Sequence, residues 1–314
     1  MIITVTLNPA VDKTVEIGNF EIGAVNRVSS IRLDGGGKGI NVSKVIKSLG
    51  GHSRASGILG GASGRFVKEY VDSLGIENDF LFIEGETRTN LKIVDSHRKT
   101  NTDINEPGPR VGIEDIEKLE KIVFGNMERD SILVLSGSVP VNVDKNIYAR
   151  WIERAKKAGA KTILDADGEL LKQGVKAGPF LVKPNIHELE RLLGTTFKDC
   201  TETERLARGL MEACGIEMAA VSLGGKGSVF LNKEASILAH GLKVPVKSTV
   251  GAGDSMVAAL AYSIDRDCGF EKAVRLAAAA STANVMTPGT QPPSYEAITA
   301  LEREVLLSYI YPGK

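Results

Sequence analysis

Ser248-Thr-Val-Gly251-Ala-Gly253-Asp254-Ser-Met256 separates an alternating apolar segment, Leu242 to Val246, from a run of small apolar residues, Met256 to Ile264. The stretch reads as a strand entering a helix through Gly-x-Gly. The first amides of a helix lack intrahelical acceptors, and with the helix dipole they favour an anion. Gly251, Ala252 and Gly253 would then offer donors to a phosphate. Asp254 follows in the first turn, where its carboxylate can reach a nucleophile facing that phosphate, a layout that fits phosphoryl transfer to a hydroxyl. Taken alone, Asp after glycines at a helix start reads first as a cap for N2 or N3.

Outward from this turn, short β-branched runs alternate with amphipathic segments, which predicts βαβ units on a largely parallel sheet. Strands are expected at Ile2–Leu7, Ile132–Ser136, Thr162–Leu164, Phe180–Val182 and Ala219–Leu223. Helices are expected at Ile40–Ser48, Gly64–Ser73, Ile113–Asn126, Val143–Lys157, Ile186–Leu193, Glu202–Cys214, Asp254–Ile264, Phe270–Val285 and Ser294–Leu307. Residues 14–33 and 79–104 break the pattern, since strands follow one another there with Gly85 and Ser96-His97 as turns. They read as a small antiparallel sheet, a lid beside a single α/β domain spanning 1–314; a plain edge extension is the alternative.

Composition narrows the class. The chain has 314 residues, 42% of them apolar and 25% charged, enough for a large core in a soluble protein. With 39 basic and 39 acidic residues and no basic block longer than two, a nucleic-acid footprint is not supported. Cys200, Cys214 and Cys268 are odd in number and lack metal spacing, so they read as reduced buried thiols of a cytoplasmic protein. The N-terminus alternates like a strand without the basic and long apolar regions of a signal peptide, and no run approaches a membrane span.

Four further segments carry chemistry. In Gly35-Gly-Gly37-Lys38-Gly-Ile-Asn41 the glycines allow close backbone approach to a ligand, and Lys38 and Asn41 lie one turn apart, suited to a polyol. The spacing is not that of a Walker A loop. In Lys183-Pro-Asn185-Ile-His-Glu188, Asn185 and Glu188 share a helix face and offer oxygens to a hydrated Mg²⁺, with Lys183 near phosphate. The same pair reads equally as a capping box. Ser222-Leu-Gly224-Gly225-Lys-Gly227 is a hairpin turn or a nucleotide-contacting loop. Asn8-Pro-Ala-Val-Asp12 ends the first strand, where ligands gather in open α/β sheets, so Asp12 is a sugar-hydroxyl acceptor or a turn residue.

Asn8-Pro-x-x-Asp12, Gly35-Gly-Gly-Lys-Gly-Ile-Asn41-Val, Thr87-Arg88-x-Asn90, Ser136-Gly-Ser138-x-Pro140, Lys183-Pro-Asn-x-x-Glu188, Ser222-Leu-Gly and Thr249-Val-Gly-Ala-Gly-Asp254-Ser-Met occur in that order. Across nearly the whole chain they resemble the PfkB (ribokinase-like) carbohydrate kinases, and most nearly the phosphosugar branch of 1-phosphofructokinases and tagatose-6-phosphate kinases. Many members acting on free sugars carry Asp where this chain has Lys247 or Ser248, which favours that branch. The resemblance implies a doubly wound three-layer αβα domain whose β lid pairs two subunits. It implies phosphorylation of a ketohexose phosphate by ATP with Mg²⁺, foremost fructose 1-phosphate, with fructose 6-phosphate and tagatose 6-phosphate as alternatives.

By the same resemblance Asp254 is the base and the amides of Gly251, Ala252 and Gly253 form the anion hole. Asn185 and Glu188 organise Mg²⁺, while Lys183, Asn185, Ser222, Gly224, Gly225, Gly227 and Asn284 serve ATP. Asp12, Gly37, Lys38, Asn41 and Asn90 hold the sugar, and Arg27, Arg88 and Ser138 its phosphate. A K⁺ site near Ser248, Val250, Asn284, Thr287 and Gly289 occurs in some members. A dinucleotide dehydrogenase would need G-x-G-x-x-G after the first strand, where Asn-Pro-Ala-Val-Asp stands instead. A non-catalytic sugar-phosphate-binding regulator would be favoured by a missing base, and Asp254 is present.

Overall fold

The structure, a computed structural model, describes residues 1–311. Its strands are β1 (Ile2–Thr6), β2 (Ala10–Ile17), β3 (Ser30–Gly36), β4 (Ser53–Gly60), β5 (Glu77–Asn78), β6 (Leu81–Ile83), β7 (Arg88–Asp95) and β8 (Thr100–Asn105). They continue with β9 (Ile132–Ser136), β10 (Lys161–Asp165), β11 (Leu181–Val182), β12 (Met218–Ser222), β13 (Gly227–Leu231), β14 (Ser236–His240) and β15 (Leu307–Tyr311). The helices are α1 (Lys38–Ser48), α2 (Gly61–Ser73), α3 (Ile113–Gly125), α4 (Ile147–Lys157) and α5 (Gly168–Lys176). After them come α6 (Ile186–Leu193), α7 (Cys200–Cys214), α8 (Ala252–Asp265), α9 (Phe270–Val285) and α10 (Tyr295–Glu302).

The main sheet runs β15-β14-β13-β12-β11-β10-β9-β1-β4-β5, with β6 beside β4. From β12 to β5 every pairing is parallel. Strands of such a sheet are apolar on both faces, as here. Ile3, Val5, Leu133, Leu135 and Leu164 pack under α3, α4, α5, α6 and α7, whereas Ile2, Ile132, Val134 and Ile163 meet α1, α8, α9 and α10. Strand order reverses beside β1, and the carboxyl ends there open the crevice that holds the site.

Gly39 shows how tightly α1 is drawn onto this sheet. A Cβ there would lie 2.6 Å from Thr6 Oγ1 and 2.7 Å from the Val5 carbonyl oxygen, so Gly39→Ala must push the helix that carries Lys38 and Asn41 off β1. The expected cost is about 1–3 kcal/mol, read as a lower denaturation midpoint.

Several expectations need correction. Leu242–Val246 forms no strand, because Pro245 lacks an N–H and no partner strand lies alongside; the path into α8 is coil. Strands β4, β5, β14 and β15 and helix α5 were not expected, Leu81–Ile83, read as part of the small sheet, instead pairs with β4, and the last helix stops at Glu302 so that Leu307 can begin β15. The small sheet, β3-β2-β7-β8, is antiparallel at its two outer pairings and parallel between β2 and β7. The three cysteines are free and half-buried, not buried. Among the described residues no helix is long and apolar enough to cross a membrane.

Candidate active site

Helix α8 starts from Gly251, which holds the left-handed φ of 88° that a Cβ-bearing residue rarely adopts. Ser255 N–H makes the first helical bond to the Gly251 carbonyl, 2.8 Å, so the amides before it are left for a ligand. Asp254 sits inside the first turn and caps nothing. Its side chain is buried, and Oδ2 accepts from Asn41 Nδ2 at 2.8 Å. Burial pushes its carboxyl up to about 6, against the pull of Lys38, Asn41 and Lys183.

Asp165, at the end of β10, was not anticipated and is the hub of the charges. Lys38 Nζ lies 3.3 Å and Lys183 Nζ 3.2 Å from its Oδ1, while Oδ2 has no partner. Burial works against its charge, yet the two ammonium groups hold its carboxyl below the usual range. Asp165 in return raises Lys38. The position at a strand's carboxyl end, in Leu164-Asp165-Ala-Asp167-Gly168, was the available signal.

Asn185 and Glu188 form the capping box: Asn185 Oδ1 accepts from Glu188 N–H at 2.9 Å and Glu188 Oε2 from Asn185 N–H at 2.8 Å. Glu188 keeps one carboxylate oxygen beyond that bond, and both residues line the cleft. Ser222 to Gly227 is a tight hairpin turn whose Ser222, Gly224, Gly225 and Gly227 also face the cleft. From Gly241, whose N–H donates to the Lys226 carbonyl of that turn at 3.3 Å, the coil read as a strand continues along the cleft, and its Leu242, Val244 and Val246 join Ala278 and Val285 as an apolar wall.

Beyond Asp254 the cleft reaches the lid. Parallel pairing of β2 with β7 sets Ala10 against Arg88 and Asp12 against Asn90, and Asn90 Nδ2 donates to Asp12 Oδ1 at 3.1 Å. Arg88 donates to the carbonyls of Asn8, 3.0 Å, and Glu106, 3.1 Å, with its buried Nε unpartnered. An adjoining recess of about 250 Å³ brings Arg88 and Lys38 together with Asn8, Gly137 and Ser138. Asp12, Gly37, Lys38, Asn41, Arg88, Asn90, Lys183 and Gly251 to Asp254 share one cleft of about 730 Å³, within the usual range for small-ligand sites. Asn284 is buried behind Gly251 instead of lining the cleft. Arg27 is exposed on the loop between β2 and β3 and lines neither cavity.

A switch-point cleft ending on a helix N-terminus, with a buried carboxylate beside free amides and two lysines, defines a phosphotransferase for a small hydroxyl-bearing acceptor. The comparisons with known proteins agree. The chain belongs to the pfkB family of carbohydrate kinases, matching its profile over residues 4–297. It is 36% identical to a 1-phosphofructokinase of Borreliella burgdorferi over 91% of this chain and 92% of that one. It is 33% identical to a tagatose-6-phosphate kinase of Staphylococcus epidermidis over 92% and 94%. The crystal structure of phosphofructokinase-2 from Escherichia coli in complex with potassium superimposes with a TM-score of 0.92 at 29% identity, covering 96% and 98% of the two chains. This protein is an ATP-dependent sugar kinase.

Proposed function

We infer that the protein transfers the γ-phosphoryl group of ATP to the free hydroxymethyl of a phosphorylated ketohexose, fructose 1-phosphate foremost, giving fructose 1,6-bisphosphate. The observation that carries this reading is the buried Asp254 carboxylate, set between free helix amides and a polar chamber ending at Arg88. The sugar hydroxyl loses its proton to Asp254 while its oxygen forms the new P–O bond, and the bond from the γ-phosphorus to the β–γ bridging oxygen breaks to release ADP. Amides of Gly251, Ala252 and Gly253 face the transferring group, and Lys38 and Lys183 add positive charge. The apolar wall of Leu242, Val244 and Val246 suits the nucleobase, with the Ser222 to Gly227 turn beside it.

The oxygen that Glu188 keeps free, beside Asn185, fits a Mg²⁺ ion that retains most of its waters. Bound there, the ion neutralises triphosphate charge. Glu188→Gln is expected to raise the Mg²⁺ concentration for half-maximal rate severalfold with the fold intact; an unchanged titration would leave the pair as a capping box alone. Asn284 Oδ1, buried without a partner near Gly251, is a fitting oxygen ligand for K⁺, together with the Ser248, Val250, Thr287 and Gly289 positions that the resemblance implies. The exposed Ile31, Leu33 and Ile104 of the lid suit a homodimer through that sheet, which sedimentation equilibrium reads directly. A cytoplasmic setting suits the three free thiols.

A fructofuranose ring carries a hydroxymethyl on each side of its ring oxygen, so fructose 1-phosphate and the 6-phosphates of fructose and tagatose can enter one site in opposite orientations. A coupled ADP-release assay across the three sugars, with free fructose as control, tests the reading. The highest kcat/KM for fructose 1-phosphate supports it; comparable use of free fructose removes it.

A further inference from the structure

Helix α1 carries a second lysine that this mechanism leaves unused. Lys44 is 2% exposed, a burial that lysine almost never reaches unless paired. Its Nζ has three protons to donate and meets one acceptor, the Gly35 carbonyl near the end of β3, at 3.0 Å. The ammonium also lies 5.5 Å from the centre of the Tyr70 ring on α2. A hydrogen bond to one carbonyl and one aromatic face do not account for a full charge in the core.

The charged groups facing it do. Asp12 reaches it from β2, opposite Asp34 in the β2–β3 ladder, with its Oδ2 set where a Cβ on Gly36, next to the Gly35 that Lys44 bonds, would lie 2.1 Å away; Asp34 and the opposing Arg32 lie on β3 and Asp254 on α8. Of the two lid carboxylates, Asp34 already has Arg32 Nε at 2.8 Å. Asp12 has no ion-pair partner among the described residues; its oxygens accept from Asn90 at 3.1 Å and Thr290 at 3.4 Å. Burial pushes the Asp12 carboxyl up, while Asn90, Lys44 and, more weakly, Arg88 draw it down. Burial likewise lowers Lys44 to about 8, so Lys44 is an ammonium at neutral pH and below.

We propose that Lys44 is a positioning residue for sugar recognition: its buried ammonium holds Asp12 as a carboxylate able to accept sugar hydroxyls, while its bond to Gly35 ties the lid strand to α1. The proposal rests on the reading of Asp12 as a sugar-hydroxyl acceptor. Removing the charge should therefore move a pH limb, which a packing role alone would not do.

The test is Lys44→Met, close in volume and uncharged, with KM for fructose 1-phosphate and for ATP measured from pH 6 to 9. The variant-to-wild-type ratio cancels the substrate phosphate's own titration. We expect the ratio of sugar KM values to be about 10-fold or more at the acid end of the range, the worth of one charge-assisted contact, and to shrink as pH rises and ionises the Asp12 carboxyl. The variant's KM for ATP should stay within threefold of wild type throughout, and its kcat within threefold at pH 7.5 and above, clear of the Asp254 limb. A ratio flat with pH, or an equal rise in KM for ATP, overturns the proposal. If the methionine variant does not fold, Lys44→Gln, which keeps a donor for Gly35, is measured in the same way. Failure of both to fold while Asp12→Asn folds normally would assign Lys44 to the core alone. Asp12→Asn separates the two levels: an unchanged sugar KM removes the underlying reading of Asp12, whereas a raised KM with a flat Lys44→Met ratio removes only the role of Lys44.

Discussion

Replacing Asp254 with Asn is expected to leave the protein folded and ATP-binding while lowering kcat by about 10²- to 10⁴-fold, the usual worth of a positioned general base. Asn matches Asp in volume, and no cap is lost because Asp254 caps nothing in α8. An amide can still meet Asn41, which stands 2.8 Å away. What disappears is the capacity to take the sugar proton. Because burial lifts Asp254 to about 6, and only the ionised carboxylate accepts a proton, wild-type kcat/KM should fall as pH drops through about 6. The wild-type-to-variant ratio, in which the substrate phosphate's own titration cancels, should show that limb. Turnover within threefold of wild type, at unchanged thermal stability, would reduce Asp254 to a structural partner of Asn41.

Arg88→Ala is expected to lower kcat/KM for the sugar phosphate by roughly 10- to 150-fold, since losing a charge-assisted contact costs about 1.5–3 kcal/mol. The planar fork suits phosphate in a way lysine does not reproduce. Two of its nitrogens are braced by the carbonyls of Asn8 and Glu106, which fixes the direction of the remainder, and the recess it lines also holds Lys38 and Ser138. KM for ATP should move little, because the apolar wall and the Ser222 to Gly227 turn lie elsewhere in the cleft. Equal losses toward ATP and sugar phosphate would remove the phosphate-clamp role and leave Arg88 as a brace between loops.

Much of the candidate site was legible in the sequence because each motif sits where the backbone itself is constrained. Gly251 marks the left-handed residue before α8, Gly37-Lys38 the entry to α1, and Pro184-Asn185 the start of α6, each visible within a few residues. The double reading of Asn185 and Glu188 was also legible, and the structure displays the capping box while leaving Glu188 an oxygen to spare.

Local pattern misled at Leu242–Val246, where apolar alternation without a neighbouring strand makes a cleft wall instead of a strand. It was silent on Asp165 and Lys44, whose importance lies in partners brought from far along the chain. By itself the sequence determined the alternation of strands and helices, the order of the cleft-lining turns and the glycines that start α1 and α8, all set by dihedral limits and short-range periodicity. Only the tertiary structure decided that Asn41 meets Asp254 across 213 positions, that Lys38 and Lys183 share Asp165, and that Lys44 is buried among the lid carboxylates. Charges interact through space, and their energies depend on burial and distance that no local window contains.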